Sequence, residues 1–267
     1  MSLRLGAHVE QNDPLAEAAD RSADLVQFFL GDPQDYKAPK VAYSDGAEAL
    51  KVRAEAEGID LYVHAPYRLN VATLNNRIRI PSRKLLQQTL DKAAEIGAKG
   101  VIVHGGHVGE DDDPETGFDN WRKCIERADL PVPLLIENTA GGENAMARKL
   151  ERIARLWDAV QSSGNENVDR VGFCLDTCHF HAAGEDLPTV VEKVVAITGR
   201  IDLVHANGSR DAFGSGADRH SNFEEGEIDP AEIVAVVKAA NAPVVVETPN
   251  GDHGQKADID YLRSHLK

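Results

Sequence analysis

Along this chain, short apolar runs rich in β-branched residues alternate with longer stretches whose apolar positions return every three or four residues. Eight runs of the first kind stand out. They are LRLGAHV (3–9), DLVQFFL (24–30), LYVHAP (61–66), GVIVHGG (100–106), PLLIENTA (133–140), VGFCLDT (171–177), IDLVHAN (201–207) and PVVVETP (243–249). Each reads as a buried strand. The stretches between them carry helix punctuation. PSRKLLQQTLDKAAEIGAKG has Pro81 near its start and Gly97 near its end, and NAMARKLERIARLWDAVQSSG alternates apolar and charged faces before stopping at Ser-Gly. DPAEIVAVVKAANAP opens on Asp229-Pro230, a favoured cap and first helical position. Strand then helix, eight times over, predicts parallel strands joined by right-handed crossovers. Eight units in 267 residues match a single closed (β/α)8 TIM barrel, and no linker or compositional shift divides residues 1–267. An open doubly wound sheet is the alternative. It usually carries a Gly-rich phosphate turn after its first strand, where this chain has GAHVEQND.

Composition narrows the class. With 42% hydrophobic and 27% charged residues the chain is ordinary globular material, and no stretch approaches the length of a membrane span. The start, MSLRLGAHVE, lacks a basic region followed by an apolar core, so a signal peptide is not expected. Cys124, Cys174 and Cys178 are odd in number and sparse, which fits a reducing cytoplasm better than a disulfide framework. A net charge of −15 argues against a general nucleic-acid coat protein. Yet residues 61–90 contain no Asp or Glu, while Arg68, Arg77, Arg79, Arg83 and Lys84 all fall there. In so acidic a chain an anionic partner would sit there, although a solvated helix start explains the cluster as well.

The strand ends carry the chemistry. In such a barrel functional residues project from the C-terminal ends of the strands. Read in order, those ends give His8, His64, His104, Glu137, Asp176, His205 and Glu247. His, Asp and Glu make up about a fifth of the chain, so chance does not place one at strand after strand. Carboxyl groups facing one another are driven to protonate unless a cation holds them. Imidazoles in the same set favour zinc or a similar transition metal over magnesium. His179 lies three residues beyond Asp176, and GSGADRHSN offers Asp218 and His220 two apart, on one side of an extended segment. His179, Asp218 and His220 form a candidate further triad. Cys174 and Cys178 are four apart rather than at zinc-knuckle spacing, and read as packing residues, as do Trp121 and Trp157. His8 either orients a ligand or satisfies a polar contact in the core. His107 and His181 belong either to a pocket rim or to the surface.

The motifs HAPYRLN, IENTAGG, CLDTCHFHAAG and GSGADRHSNFEEGEID resemble, in order and spacing, those of the endonuclease IV family of apurinic/apyrimidinic endonucleases. The similarity runs from GAHV to VVVETPNGD. It implies a barrel with three zinc ions that cuts duplex DNA 5′ to an abasic site, in base excision repair, leaving a 3′-hydroxyl and a 5′-deoxyribose phosphate. By that resemblance His64, His104 and Glu137 hold one zinc, and Glu137 bridges to a second completed by Asp176, His205 and Glu247. His179, Asp218 and His220 hold the third. Manganese could occupy part of the set. Water activated between the first two metals would attack the phosphorus, with Glu137 the catalytic bridge. Tyr67 and Arg68 stand where the family opens the duplex, and Arg77 and Arg79 are candidate DNA contacts. Arg68 replaces a usually apolar wedge, Gly208 a common Asp, and His181 a position often aromatic. A monomer acting on DNA, with no membrane partner, is expected. The competing reading is a single-metal sugar isomerase or epimerase on a related barrel. Glu137, Asp176, His205 and Glu247 satisfy it alone, and His64, His104, His179, Asp218 and His220 are then surplus.

Overall fold

A computed structural model describes residues 3–266. The strands are β1 (Leu5–His8), β2 (Leu25–Phe29), β3 (Asp60–His64), β4 (Gly100–His104), β5 (Leu134–Glu137), β6 (Val171–Asp176), β7 (Leu203–His205), β8 (Gly208–Ser209), β9 (His220–Ser221) and β10 (Val244–Val246). The helices are α1 (Pro14–Arg21), α2 (Gly46–Glu57), α3 (Asn76–Glu95), α4 (Pro114–Glu126), α5 (Leu150–Gln161), α6 (Thr177–Ala183), α7 (Leu187–Thr198), α8 (Pro230–Ala240) and α9 (Gly254–His265). All eight apolar runs become strands of one closed barrel, in the order β1-β10-β7-β6-β5-β4-β3-β2, and every neighbouring pair is parallel.

The barrel is filled in two layers. Leu25, Tyr62, Ile102, Leu135, Cys174, Leu203 and Val245 form an apolar floor inside it. Alternate residues of a strand face the same side. Two positions on from each floor residue therefore stand Gln27, His64, His104, Glu137, Asp176, His205 and Glu247. On β1 the corresponding pair is Gly6 and His8, and a Cβ at Gly6 would lie 1.8 Å from the Leu25 carbonyl oxygen. The residues between, such as Val26, Val63, Val103, Ile136, Leu175 and Val204, point outward into the layer of helices. Strands buried on both faces read as continuous apolar runs, which is why the runs were visible in the sequence.

Element ends depart from the sequence reading in three places. Helix α3 begins at Asn76, so Pro81 lies inside it; the Asn75 side chain caps the start by accepting from the Arg77 amide at 3.0 Å. Residues 144–149 are loop and not the start of α5, because their backbone is taken up elsewhere. The Met146 amide donates to Gly106 at 2.8 Å and Thr139 donates to Ala147 at 3.1 Å. The small antiparallel pair β8–β9 was not foreseen; it closes the loop that carries Asp218. It also accounts for Gly208, since a Cβ there would come within 2.6 Å of Ser221 Oγ and 2.8 Å of the Ser221 carbonyl.

Candidate metal centre

The register of β4, β5, β6 and β7 sets the ligand candidates side by side, with His104 opposite Glu137 and Asp176 opposite His205. Asp176 also caps α6: its Oδ1 accepts the His179 amide at 2.7 Å. An N-cap reaches the third residue of its helix, so the Asp-x-x-His spacing delivers His179 to the same mouth. His220 arrives on β9, and Asp218 on the loop before it.

Three neighbouring groups result. Glu137 Oε2 lies 3.2 Å from both His64 Nε2 and His104 Nε2. The other oxygen, Oε1, lies 2.9 Å from His205 Nδ1, which is 3.2 Å from Glu247 Oε2 and 3.9 Å from Asp176 Oδ2. Glu137 therefore belongs to both a His64–His104–Glu137 group and a Glu137–Asp176–His205–Glu247 group. In the third, Asp218 Oδ1 is 3.1 Å from His179 Nε2 and 3.2 Å from His220 Nε2. Asp176 reaches this group as well, standing close to His179 and His220. So does Cys178, which the sequence reading set aside as packing: it forms a close set with Asp218 and His220. Cys174 and Cys124 are buried packing residues. Trp121 is buried, its indole donating to the Gly105 carbonyl at 2.7 Å.

Three of the imidazoles are aimed from behind. His64 Nδ1 donates to the Ala65 carbonyl at 2.7 Å and His179 Nδ1 to the Asn138 carbonyl at 2.8 Å. His205 Nε2 donates to Gln27 Oε1 at 2.8 Å. In a neutral ring the nitrogen facing the carboxylates is then the unprotonated one, a lone pair open to a cation; in a charged ring it donates to the carboxylate. His179 Nε2 and His220 Nε2 are buried and face Asp218 Oδ1 at 3.1 and 3.2 Å, with no contact of hydrogen-bond geometry among the described residues. Buried orphans beside a carboxylate fit a divalent cation, and the mixed imidazole–carboxylate set fits zinc chemistry.

The carboxylates and imidazoles attract one another strongly. Burial pushes the Glu137 carboxyl up, yet His205 and His104 outweigh it and hold the group well below the usual carboxylate range. Burial also opposes ionisation of Glu247 and Asp218, which nearby imidazoles likewise pull down. For Asp176 burial wins and its carboxyl rises. His179, His205 and His220 sit well above the ordinary imidazole value despite burial, because carboxylates surround them. His8 is lowered by burial and stays neutral. Its Nδ1 accepts from Gln27 Nε2 at 2.9 Å.

Three buried amides complete the cage, and the sequence reading missed them. Gln27 Nε2 also donates to Glu247 Oε1 at 2.6 Å. Asn207 Nδ2 donates to Asp176 Oδ2 at 2.7 Å, while its Oδ1 accepts the Glu247 amide at 2.7 Å. Asn138 Oδ1 accepts the Asp176 amide at 2.7 Å. The available signal was a lone Gln inside the apolar run LVQFF and an Asn directly after Glu137 or shortly after His205.

Above these groups opens a cavity of about 340 Å³ lined by His8, His64, Tyr67, His104, Asp218 and Glu247 among others. Tyr67 is exposed at its rim, 6.3 Å from the His104 ring and edge-on to Phe29 at 4.9 Å. A neighbouring cavity of about 360 Å³ shares Tyr67 and His104 and is lined by Tyr36, Arg68, Ile78 and His107. Arg68 lies over the Tyr36 ring at 5.5 Å and donates to the Gln34 carbonyl at 3.0 Å. Arg77 is exposed at the start of α3; Arg79 is half-buried and donates to the Thr73 carbonyl at 2.8 Å and to Asn76. His181 is buried, and its Nε2 donates to the Asp211 carbonyl at 3.0 Å, pinning the loop that leads to Asp218.

Fold and site together define a closed parallel barrel with candidate metal-binding groups at its mouth. A family described as "Xylose isomerase-like TIM barrel" matches residues 15–265. Probable endonuclease 4 of Mycobacterium bovis is 56% identical over 259 residues, 97% of either chain, and that of Mycobacterium marinum 53% over 262 residues, 98% of either chain. Among solved structures, endonuclease IV from Thermus thermophilus superposes with a TM-score of 0.82 at 28% identity, covering 98% of both chains. A D-tagatose 3-epimerase-like protein shares the fold alone, with a TM-score of 0.77 at 18% identity. The chain belongs to the endonuclease IV family.

Proposed function

We propose that this chain, as one barrel domain, is a zinc-dependent apurinic/apyrimidinic endonuclease of base excision repair. It hydrolyses the phosphodiester 5′ to an abasic site and leaves a 3′-hydroxyl and a 5′-deoxyribose phosphate. The observation that carries this reading is the surplus of ligands. Beyond Glu137, Asp176, His205 and Glu247, which a one-metal epimerase would use, five more candidates meet at the same mouth. Two of these five, His179 and His220, turn buried nitrogens toward Asp218 without hydrogen-bond geometry among the described residues.

In this reading His64, His104 and Glu137 hold one ion, Glu137, Asp176, His205 and Glu247 a second, and His179, Asp218 and His220 a third. Zinc bound there makes water nucleophilic near neutral pH and offsets phosphate charge. The chain's own groups do the rest. Gln27, Asn138 and Asn207 orient imidazoles and carboxylates, so little reorganisation remains when substrate arrives. Exposed Tyr67 and Arg68 flank the cavity where a nucleotide would leave the stack, and exposed Arg77 offers a cation to the backbone nearby. Elemental analysis of gently purified protein, paired with nicking of a duplex holding one abasic site, tests the proposal. About three zinc ions per chain and cleavage are expected. One manganese per chain with no nicking would favour sugar epimerisation.

A further inference from the structure

Helix α9 turns two polar side chains, Gln255 and Asp258, onto the face that buries Ile259 and Leu262. Three apart, they are neighbours on that face. Asp258 is 4% exposed. Its Oδ1 accepts the Phe223 amide at 3.1 Å; its Oδ2 accepts from Asn222 Nδ2 at 2.7 Å and from Thr248 Oγ1 at 2.6 Å. Asn222 follows His220 by two residues and Thr248 directly follows Glu247. Gln255 extends the clamp: its Nε2 donates to the carbonyls of Thr248 at 3.0 Å and His8 at 3.1 Å, while Arg21 Nε donates to its Oε1 at 2.7 Å. One buried carboxylate thus ties the segment after β9 to the end of β10. Between the two ligands themselves the only such link among the described residues is a long one, His220 Nδ1 to the Glu247 carbonyl at 3.4 Å.

A buried carboxylate is costly unless its oxygens are met, and here three donors meet them. An apolar residue would serve a plain packing role without that cost. We infer that Asp258 is a positioning residue that holds the His220 segment against the Glu247 strand end, and so sets the third ligand group relative to the second. The inference rests on the metal reading above.

The test compares zinc retention against a graded chelator for the wild type, Asp258→Ala, Asp258→Asn and Leu50→Ala, the last a core truncation in α2. Wild type and Leu50→Ala should keep about three ions where both Asp258 variants have lost one, its half-release shifted by ~10-fold or more. Adding Asp258→Asn to Asp218→Ala should cause no further loss, because the group it positions is already broken. Release of all ions in parallel, or retention equal to Leu50→Ala, would make Asp258 a packing residue and overturn the inference. Should Asp258→Ala fail to fold, Asp258→Asn, which keeps the volume, decides alone. A wild type holding one ion would instead sink the metal reading, and the inference with it, whatever the variants do.

Discussion

Glu137 sits where its two oxygens face different candidate ligand groups, so it is a place to change charge without changing shape. Glu137→Gln should lower nicking by about a thousandfold in single-turnover assays, the scale seen when one preorganised electrostatic group is lost. Near-normal nicking would remove its bridging role. Gln27 offers a subtler case, since it touches three candidate residues, His8, His205 and Glu247. Gln27→Leu keeps most of the volume but drops those bonds, and should weaken zinc retention at the second group by about 10–100-fold. Arg68 departs from the apolar wedge the family resemblance leads one to expect, and it rests on Tyr36 rather than projecting free. Arg68→Ala should weaken binding to abasic duplex more than to intact duplex across a salt series. Equal weakening would reduce Arg68 to a phosphate contact.

At the scale of elements, the start of α3 and the β8–β9 pair carry the consequences. The Arg77 side chain has no hydrogen bond or ion pair among the described residues, whereas Arg79 is committed to Thr73 and Asn76. Neutralising both should flatten the plot of log affinity against log salt by roughly 0.9 for each phosphate left without its cation, with Arg77 supplying most of the change. An unchanged slope would place the backbone elsewhere. The β8–β9 pair has no room at Gly208, where any side chain meets the Ser221 backbone. Gly208→Asp, although it restores the residue the family resemblance leads one to expect, should displace β9 and with it His220. The expected result is an overpacking loss of about 1–3 kcal/mol, read from denaturant unfolding. Unchanged stability would show that the pair opens freely.

For the whole molecule, the polar ring lies on an apolar floor, so eight strands meet around clustered carboxylates and imidazoles that a cation could bind only in the folded state. Stripping metal with a chelator should therefore lower Tm, since ions that bind only the folded state stabilise it by about 4 kcal/mol at a thousandfold excess over Kd. Calorimetry before and after zinc is restored checks this, and an unmoved Tm would mean that the apo cage is self-sufficient. The molecule also contains no helix long and apolar enough to cross a membrane, among the described residues.

The sequence by itself determined the barrel, because strands buried on both faces are uninterrupted apolar runs and each run ends where polarity becomes tolerable. It also determined the candidate ligands, since His, Asp or Glu directly after such a run has nowhere to go but the mouth. Tertiary structure alone decided what stands around them. Gln27, Asn138, Asn207 and Asp258 are ordinary polar residues in one dimension, and they gain meaning only from hydrogen bonds to residues up to 220 positions away, the separation of Gln27 from Glu247. The β8–β9 pair, the loop at 144–149 and the approach of Cys178 to His220 were hidden for the same reason. Each depends on which segments the closed barrel brings together, and a periodicity of two or 3.6 residues reports only which face of one element is buried.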